Sequence, residues 1–214
     1  EKLANGFKCI KMKIGAVDFE TELSILKSIR QNYGSDTVEL RVDANGAFEP
    51  EAALSKLEQL ANYDLHSIEQ PIKQGQIDKM ARLCETSPLP IALDEELIGI
   101  ADVTEKEKLL QTIRPRFIIL KPSLLGGFKG CAEWIMLAKK HQIGWWITSA
   151  LESNIGLNAI AQYTFSLGNL MPQGLGTGAL YSNNFDCPLT VEHGKLYYRH
   201  HKKWKSNLIE ELCT

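Results

Sequence analysis

The chain has 214 residues, of which 44% are hydrophobic and 23% are charged, and its formal net charge is -2. This composition is typical of a soluble globular protein with one large domain or two small ones. The charge balance gives no support for binding to nucleic acid or to an anionic membrane. No apolar run approaches the ~18 residues that a transmembrane helix needs, and the start, EKLANGFK, lacks the apolar segment of a signal peptide.

The cysteines are few, widely spaced and odd in number, and none forms a CxxC pair: Cys9, Cys84, Cys131, Cys187 and Cys213. A disulfide framework or a zinc site needs paired cysteines at short, regular spacing. Scattered single cysteines are typical of reduced proteins. The pattern therefore predicts free thiols and a cytoplasmic location.

Strand and helix signals alternate along the chain. Alternating or continuous apolar runs predict strands at 8–15, 38–46, 66–71, 89–96, 116–123, 144–153 and 171–178. Apolar residues at helical spacing predict helices at 18–34, 50–63, 76–87, 101–113, 130–142 and 155–168. After the last strand, 189–198 is predicted to form a hairpin or an extended tail, and 203–212 a closing helix.

The predicted strands end at regular intervals of 25 to 30 residues, at Lys13, Asp43, Glu69, Asp94, Lys121, Ser149 and Gly176. Repeated βα units of this size indicate a β/α barrel or a doubly wound sheet. The barrel is favoured because charged residues recur at the carboxyl ends of the strands, and because no glycine-rich phosphate loop follows the first strand. We expect a TIM-like barrel over residues 1–190, starting at its second strand, and a tail of hairpin and helix over 191–214.

Three acidic residues follow three consecutive strands, namely Asp43, Glu69 and Asp94. Neighbouring carboxylates repel one another, and a divalent cation removes that repulsion. Ligands that are all oxygen favour a hard ion, and Mg²⁺ fits best, with Mn²⁺ as a substitute. A single carboxylate is better explained as a helix cap or a partner of a surface lysine, whereas three in register favour the metal. Glu95 is predicted to face away from Asp94 and to contact the ligands from outside.

Lys11 and Lys13 alternate along the first strand and therefore share a face. Lys121 ends the strand on the other side of the three acidic strands. A lysine close to a cation and to another lysine loses its proton more easily, so Lys13 is a candidate general base. Lys121 is then placed to stabilise an enediolate formed beside a carboxylate that the metal holds. Lys11 is expected behind Lys13.

The combined motifs KMK, VDANGA, IEQP, LDEE, ILKPSLLGG and TSALESNIG resemble the enolase superfamily, in its muconate-lactonising-like branch. Within that branch they are most similar to the o-succinylbenzoate synthase family, from Phe7 to about Tyr181. The resemblance implies an α/β (β/α)7β barrel whose N-terminal α+β capping domain and first strand are not in this sequence. It also implies Mg²⁺ on the three acids, Lys13 as the base and Lys121 as the stabilising cation.

The implied reaction is the syn-dehydration of 2-succinyl-6-hydroxy-2,4-cyclohexadiene-1-carboxylate to o-succinylbenzoate, a step of menaquinone biosynthesis. One lysine serves both steps, because the proton and the hydroxide leave from the same side of one ring. The expected partner is a small-molecule carboxylate, with no nucleic acid and no membrane.

Other polar residues are candidates for binding substrate or for orienting the ligands. Arg41 and Asn45 share a strand face with Asp43. By the same resemblance, Ser149, Ser153, Gly176 and Thr177 belong to loops that hold the succinyl chain, for which hydroxyl and backbone N–H groups are suitable donors. The five histidines are predicted to be solvated, and Trp145 and Trp146 to lie in the core.

Three alternatives remain open. An N-succinylamino acid racemase would use both lysines as bases on opposite faces of the substrate. A dipeptide epimerase is less favoured, because the last strand, GLGTGAL, lacks the acidic DxD pair of that family. A non-catalytic barrel with a structural ion is the third. The mandelate-type branch is disfavoured, because it uses a histidine base where this chain has no histidine.

Overall fold

The computed structural model describes residues 2–176, 181–204 and 207. Parallel strands and helices alternate as predicted. The strands are β1 Cys9–Lys13, β2 Glu39–Asp43, β3 Ser67–Glu69, β4 Ile91–Leu93, β5 Phe117–Leu120 and β6 Gly144–Ile147. The helices are α1 Phe19–Asn32, α2 Pro50–Leu60, α3 Ile77–Thr86, α4 Val103–Ile113, α5 Gly127–Lys140 and α6 Asn154–Ser166.

Local signals explain where several helices begin. The Asp18 carboxylate accepts the N–H of Thr21 (3.1 Å) at the start of α1, and Asp102 accepts two N–H groups at the start of α4. Pro50 opens α2, where its fixed φ suits the first turn. No helix among the described residues is long and apolar enough to cross a membrane.

The six strands pair in chain order, all parallel, and the sheet curls into part of a barrel. The guanidinium of Arg41 on β2 lies 4.0 Å from the ring centroid of Trp146 on β6. In a flat sheet, strands four places apart would be separated by roughly 19 Å. His66, just before β3, likewise stacks on Phe117 of β5 with 4.7 Å between ring centroids. Both contacts cross the concave side of the curled sheet, which confirms the barrel-type fold.

The curled sheet has two apolar faces. Its outer face packs against the helices and forms the main core, which includes Leu26, Leu57, Ile68, Met80 and Trp134, all fully buried. Its inner face holds a small second cluster of Ala92 on β4, Ile119 on β5 and Trp146 on β6. The prediction that both tryptophans at 145 and 146 are buried is confirmed.

The last barrel strand is described only in part. Gly174 makes a parallel bridge with Thr148, and its carbonyl accepts the N–H of Ser149 (3.1 Å). Residues 177 and 178 of the predicted strand are outside the described part of the chain, as is most of the predicted closing helix at 203–212. The predicted hairpin is confirmed as the antiparallel pair β7 Leu189–Glu192 and β8 Lys195–Tyr198.

A tight turn follows β5, directly after Lys121. Gly126 and Gly127 have φ of 82° and 72°, a region that glycine enters without steric cost. One turn into α5, Gly130 packs so closely on this turn that an added Cβ would lie 1.8 Å from the carbonyl oxygen of Leu125. The turn and the start of the helix are therefore fixed against each other.

We expect Gly130→Ala to lower the free energy of unfolding by about 2–3 kcal/mol, because the methyl group must displace backbone. Urea denaturation followed by circular dichroism measures this change. The control is Gly34→Ala, whose added Cβ would meet only the movable side chain of Asp36. Equal stability of the two variants would contradict the close packing at Gly130.

Candidate active site

Charged side chains meet at the carboxyl ends of five neighbouring strands. The register of the sheet pairs Lys13 with Asp43 across β1 and β2, and Asp43 with Glu69 across β2 and β3. Asp94 and Lys121 directly follow β4 and β5. Parallel strands end on one rim of a barrel, and this rim is where barrel enzymes bind their substrates.

The carboxylates on this rim are buried, and lysines neutralise them. The Lys11 ammonium donates to Asp43 Oδ2 and to Glu69 Oε2, at 2.7 Å each. Lys13 donates to the same Asp43 oxygen at 2.6 Å, and Lys121 donates to Asp94. Lys11 therefore lies between two of the predicted ligands as well as below Lys13.

The two acids that share Lys11 differ in their pKa. Burial raises the pKa of Asp43, but the charges and hydrogen bonds of Lys11 and Lys13 outweigh it, so the pKa lies below its usual value. Burial also raises the pKa of Glu69, and repulsion from Asp43 and Asp94 adds to the effect, giving about 8. Lys11 lowers it only in part, because its ammonium is shared. The Glu69 carboxylate is therefore the one short of positive charge.

The acidic set is chemically suited to a hard divalent cation. Glu69 Oε1 is buried and has no hydrogen-bond partner, so one ligand-type oxygen is left unsatisfied. Carboxylate oxygens are the donors that Mg²⁺ prefers. Among the described residues, no three His, Cys, Asp or Glu side chains are already gathered around one point, and each of the three predicted ligands accepts a lysine hydrogen bond instead. Lysines thus supply the positive charge in this structure.

Asn45 links the base candidate to a fourth acid. Its side-chain oxygen accepts from Lys13 Nζ (2.5 Å), and its amide nitrogen donates to Glu95 Oε1 (2.9 Å). The sequence placed Glu95 on the face opposite Asp94, by strand alternation. That reasoning was wrong, because residues 95–97 form a 3-10 turn that brings Glu95 back over the rim. Asn45 and Glu95 are thus linked to Lys13 by hydrogen bonds.

Arg41 is on the predicted face but lies below the rim. It binds Glu39 through Nε (2.7 Å), donates to the carbonyl of Pro172 (3.3 Å) and stacks on Trp146. These contacts place it in the floor of the barrel, and among the described residues none of its hydrogen bonds reaches a predicted metal ligand. The prediction that all histidines are solvated was wrong for His66, which is half-buried against Phe117.

The residues predicted to hold the succinyl chain lie beyond β6. Ser149 is buried, and its hydroxyl donates to the carbonyl of Gly174 (3.4 Å). Ser153 is the residue before α6, and its carbonyl accepts the N–H of Leu157 (2.9 Å). Gly176 is exposed. Thr177 is outside the described residues, so its predicted role stays a prediction.

Two buried polar residues on the rim were not singled out from the sequence. Gln70 is fully buried directly after Glu69, and Glu96 is buried two residues after Asp94. Their side chains are hydrogen-bonded to each other, with 3.0 Å between Nε2 and Oε2. The sequence did contain a signal for Gln70. This residue stands between a candidate ligand and a proline at the end of a strand, where a polar amide needs hydrogen-bond partners.

The comparison with known proteins agrees with this geometry. The family model described as enolase C-terminal domain-like matches residues 1–201. The chain belongs to this family. Its members include an o-succinylbenzoate synthase from Desulfotalea psychrophila, to which the chain is 55% identical over 195 residues, covering 91% of the chain and 53% of that relative. An L-Ala-D/L-Glu epimerase from Bacillus subtilis is 26% identical, over 89% of the chain and 49% of the relative.

Solved structures support the same fold within the enolase C-terminal domain-like family. The structure of MenC from Desulfotalea psychrophila has a TM-score of 0.87 and 54% identity, over 91% of this chain and 54% of that one. The muconate lactonizing enzyme from Pseudomonas putida has a TM-score of 0.83 at 23% identity, over 97% and 58%. The chain thus spans about half the length of the relatives it matches.

The cysteines in the described part of the chain are free, and three of them should be unreactive. Burial raises the pKa of Cys9, Cys84 and Cys131 to about 12. At pH 8 these thiols are protonated, and the thiolate is the reactive form. We expect them to resist a disulfide reagent in the folded protein and to react at once in urea. Peptide mass spectrometry after labelling identifies the modified positions, and rapid labelling of Cys9 without urea would contradict its burial.

Proposed function

We propose that this chain supplies the catalytic barrel of an o-succinylbenzoate synthase in menaquinone biosynthesis. The reaction is the syn-dehydration of 2-succinyl-6-hydroxy-2,4-cyclohexadiene-1-carboxylate to o-succinylbenzoate, in the cytoplasm. One observation carries the proposal: Lys13 and Lys121 flank three buried carboxylates on one barrel rim, in a chain 55% identical to an o-succinylbenzoate synthase. Its partner is a small-molecule carboxylate, and neither nucleic acid nor a membrane takes part.

Asp43, Glu69 and Asp94 would hold Mg²⁺, or Mn²⁺ in its place. The unsatisfied oxygen of Glu69 and the deficit of positive charge beside it support this assignment. The chemistry that the ion would supply is Lewis-acid polarisation of the substrate carboxylate. Lys13 and Lys121, which contact these carboxylates, are the groups proposed to face the substrate.

Lys13 takes the proton from the carbon next to the substrate carboxylate. In its neutral form Nζ accepts this proton, and the electron pair of the C–H bond passes into an enediolate. Asn45 holds Nζ through its side-chain oxygen at 2.5 Å, which fixes the direction of the amine. The same ammonium then returns the proton to the departing hydroxide, so that water leaves and the ring becomes aromatic. Atoms and charge balance without an external acid.

Lys121 stabilises the enediolate from the other side of the acidic strands. It follows β5, and its ammonium donates a hydrogen bond to Asp94, which directs it at the rim. Ser149, Ser153, Gly176 and Thr177 would receive the succinyl carboxylate. Ser149 and Ser153 follow β6, which pairs with β5, the strand before Lys121. Hydroxyl and backbone N–H donors suit that role.

Racemisation is the second candidate, because several relatives are epimerases, including the Bacillus subtilis protein. Two lysines on opposite sides of a substrate carbon also suit racemisation. The stretch GLGTGAL contains no acid that could bind a substrate ammonium group, which disfavours a dipeptide and leaves an N-succinylamino acid. A barrel with a structural ion only is the non-enzymatic alternative.

The test is an assay of the chain with Mg²⁺ and candidate substrates in deuterated water. Appearance of the aromatic product, followed by ultraviolet absorbance, supports the synthase. Exchange of the α-proton of an N-succinylamino acid without dehydration supports the racemase. A full-length protein that binds Mg²⁺ and gives neither reaction supports the structural-ion alternative. Chelation with EDTA should abolish product formation, and added Mg²⁺ should restore it.

We expect Lys13→Ala to lower kcat for dehydration by about 10³-fold or more, because general base catalysis contributes about 10²–10⁴-fold. Mg²⁺ affinity, measured by calorimetry, should be retained. The control is Lys8→Ala, which removes an exposed lysine just before the same strand. Dehydration that persists in Lys13→Ala would remove this residue from its role.

Lys121→Ala should also lower kcat by about 10²–10³-fold, because one preorganised donor to a developing oxyanion contributes about that much. Lys129→Ala, whose side chain is 91% exposed, is the control. The two lysine variants separate the mechanisms. In a synthase, Lys121→Ala slows every step that forms the enediolate, whereas in a racemase each lysine variant retains proton exchange from one enantiomer only.

A further inference from the structure

Both the nitrogen and the oxygen of the Gln70 side-chain amide form hydrogen bonds within the acidic rim. Its Nε2 donates to Glu96 Oε2 (3.0 Å) and to the carbonyl of Ile72 (3.1 Å). Its Oε1 accepts the N–H groups of Asp94 (3.2 Å) and Glu96 (3.3 Å). A primary amide has two donor hydrogens and an acceptor with two lone pairs, so every position is satisfied. This side chain is completely buried.

The backbone of Gln70 joins the same strands. Its N–H donates to the carbonyl of Ala92 on β4 (2.9 Å), and its carbonyl accepts the N–H of Gly46 after β2 (2.7 Å). Gln70 also has a φ of 39°, in the left-handed region that is unfavourable for a residue with a side chain. Such strain persists only where the surroundings fix it, and it concentrates at functional sites.

Asp94 depends on Gln70 for its backbone position. Its φ of -124° and ψ of -80° lie outside the helix and strand regions, so the β4 ladder does not fix it. Its N–H instead donates to the Gln70 amide, one residue from Glu69. Glu96 extends this connection, because its second oxygen accepts the N–H of Gly75 (2.8 Å).

We propose that Gln70 is a positioning residue that sets the separation between the Glu69 and Asp94 carboxylates, and so determines how tightly they bind a divalent cation together. The inference rests on the proposed metal site and adds to it a residue that touches neither metal nor substrate. The Gln70 amide accepts the backbone N–H of Asp94, and Glu69 is the preceding residue in the chain. Loss of the amide would therefore change the distance between the two carboxylates without removing a ligand.

The decisive variant is Gln70→Met, which keeps the length of the side chain and removes every hydrogen bond of the amide. We expect the dissociation constant for Mn²⁺, measured by electron paramagnetic resonance without substrate, to rise by about tenfold to 100-fold, as is typical for residues that orient metal ligands. The measurement is made well below the unfolding temperature. Amide hydrogen exchange of the peptide containing Asp94 and Glu96 should become faster without metal.

Two controls separate positioning from loss of stability. Leu110→Ala removes a buried side chain of α4, which belongs to the main core between sheet and helices. It should lower the melting temperature and leave the Mn²⁺ dissociation constant unchanged. Gln74→Met, at an exposed glutamine in the connection after β3, should change neither.

The exchange Gln70→Glu with Glu96→Gln provides a rescue. It keeps the net charge and one amide–carboxylate pair, so the N–H groups of Asp94 and Glu96 retain an acceptor. We expect this double variant to recover a dissociation constant within about threefold of wild type, since paired exchanges restore a shared hydrogen bond. Gln70→Glu alone sets two carboxylates against each other and should be less stable than the double variant.

A Gln70→Met protein with the wild-type dissociation constant would overturn the proposal, and so would a Leu110→Ala protein with an equally weakened one. A wild-type chain that binds Mn²⁺ but yields no aromatic product contradicts the dehydratase and leaves the role of Gln70 intact. A wild-type chain that binds no Mn²⁺ overturns both.

Discussion

The structure depends on the register that sets Lys13 beside Asp43 and Asp43 beside Glu69. Because side chains alternate along a strand, a shift by one residue would turn β1 so that Met12 and Ile14 faced the rim instead of the lysines. The apolar residues between the charged ones prevent this shift. Val42 and Ile68 are fully buried against the helices, and only one register buries them and directs the acids inward. The packing of the core therefore fixes the arrangement of the charges.

The interior of the barrel is apolar just below those charges. Ala92, Ile119 and Trp146 fill it, and Arg41 lies flat on the tryptophan ring with its charge matched by Glu39. An apolar floor lowers the local dielectric, which strengthens every interaction among the charged groups above it. The same floor raises the free-energy cost of a carboxylate without a full countercharge. Glu69 has only Lys11 as a partner, which it shares with Asp43, and its pKa is accordingly raised.

Most of the fold follows from the sequence, because apolar periodicity reports which residues are buried. The six helices and six strands were predicted in order, as were the five principal rim residues, since strand ends repeat at a regular interval. Errors began where the strands stop. Glu95 lies in a 3-10 turn rather than on a continuing strand, so alternation gave it the wrong face. Gln70 and Glu96 were not identified, because their roles come from hydrogen bonds between loops, which no periodic pattern encodes.

The lysines and the carboxylates on the rim stabilise each other through ion pairs. Three buried carboxylates without countercharge would destabilise the rim, so the folded chain needs cations there before any metal binds. Lys11, Lys13 and Lys121 supply them, and two of these are the proposed catalytic groups. A divalent ion would replace lysine charge at the carboxylates and release ammonium groups held within a few ångströms of the bound ligand. In the proposed function, the hydrogen bonds from Lys13 to Asp43 and Asn45 also hold the proposed base at the rim.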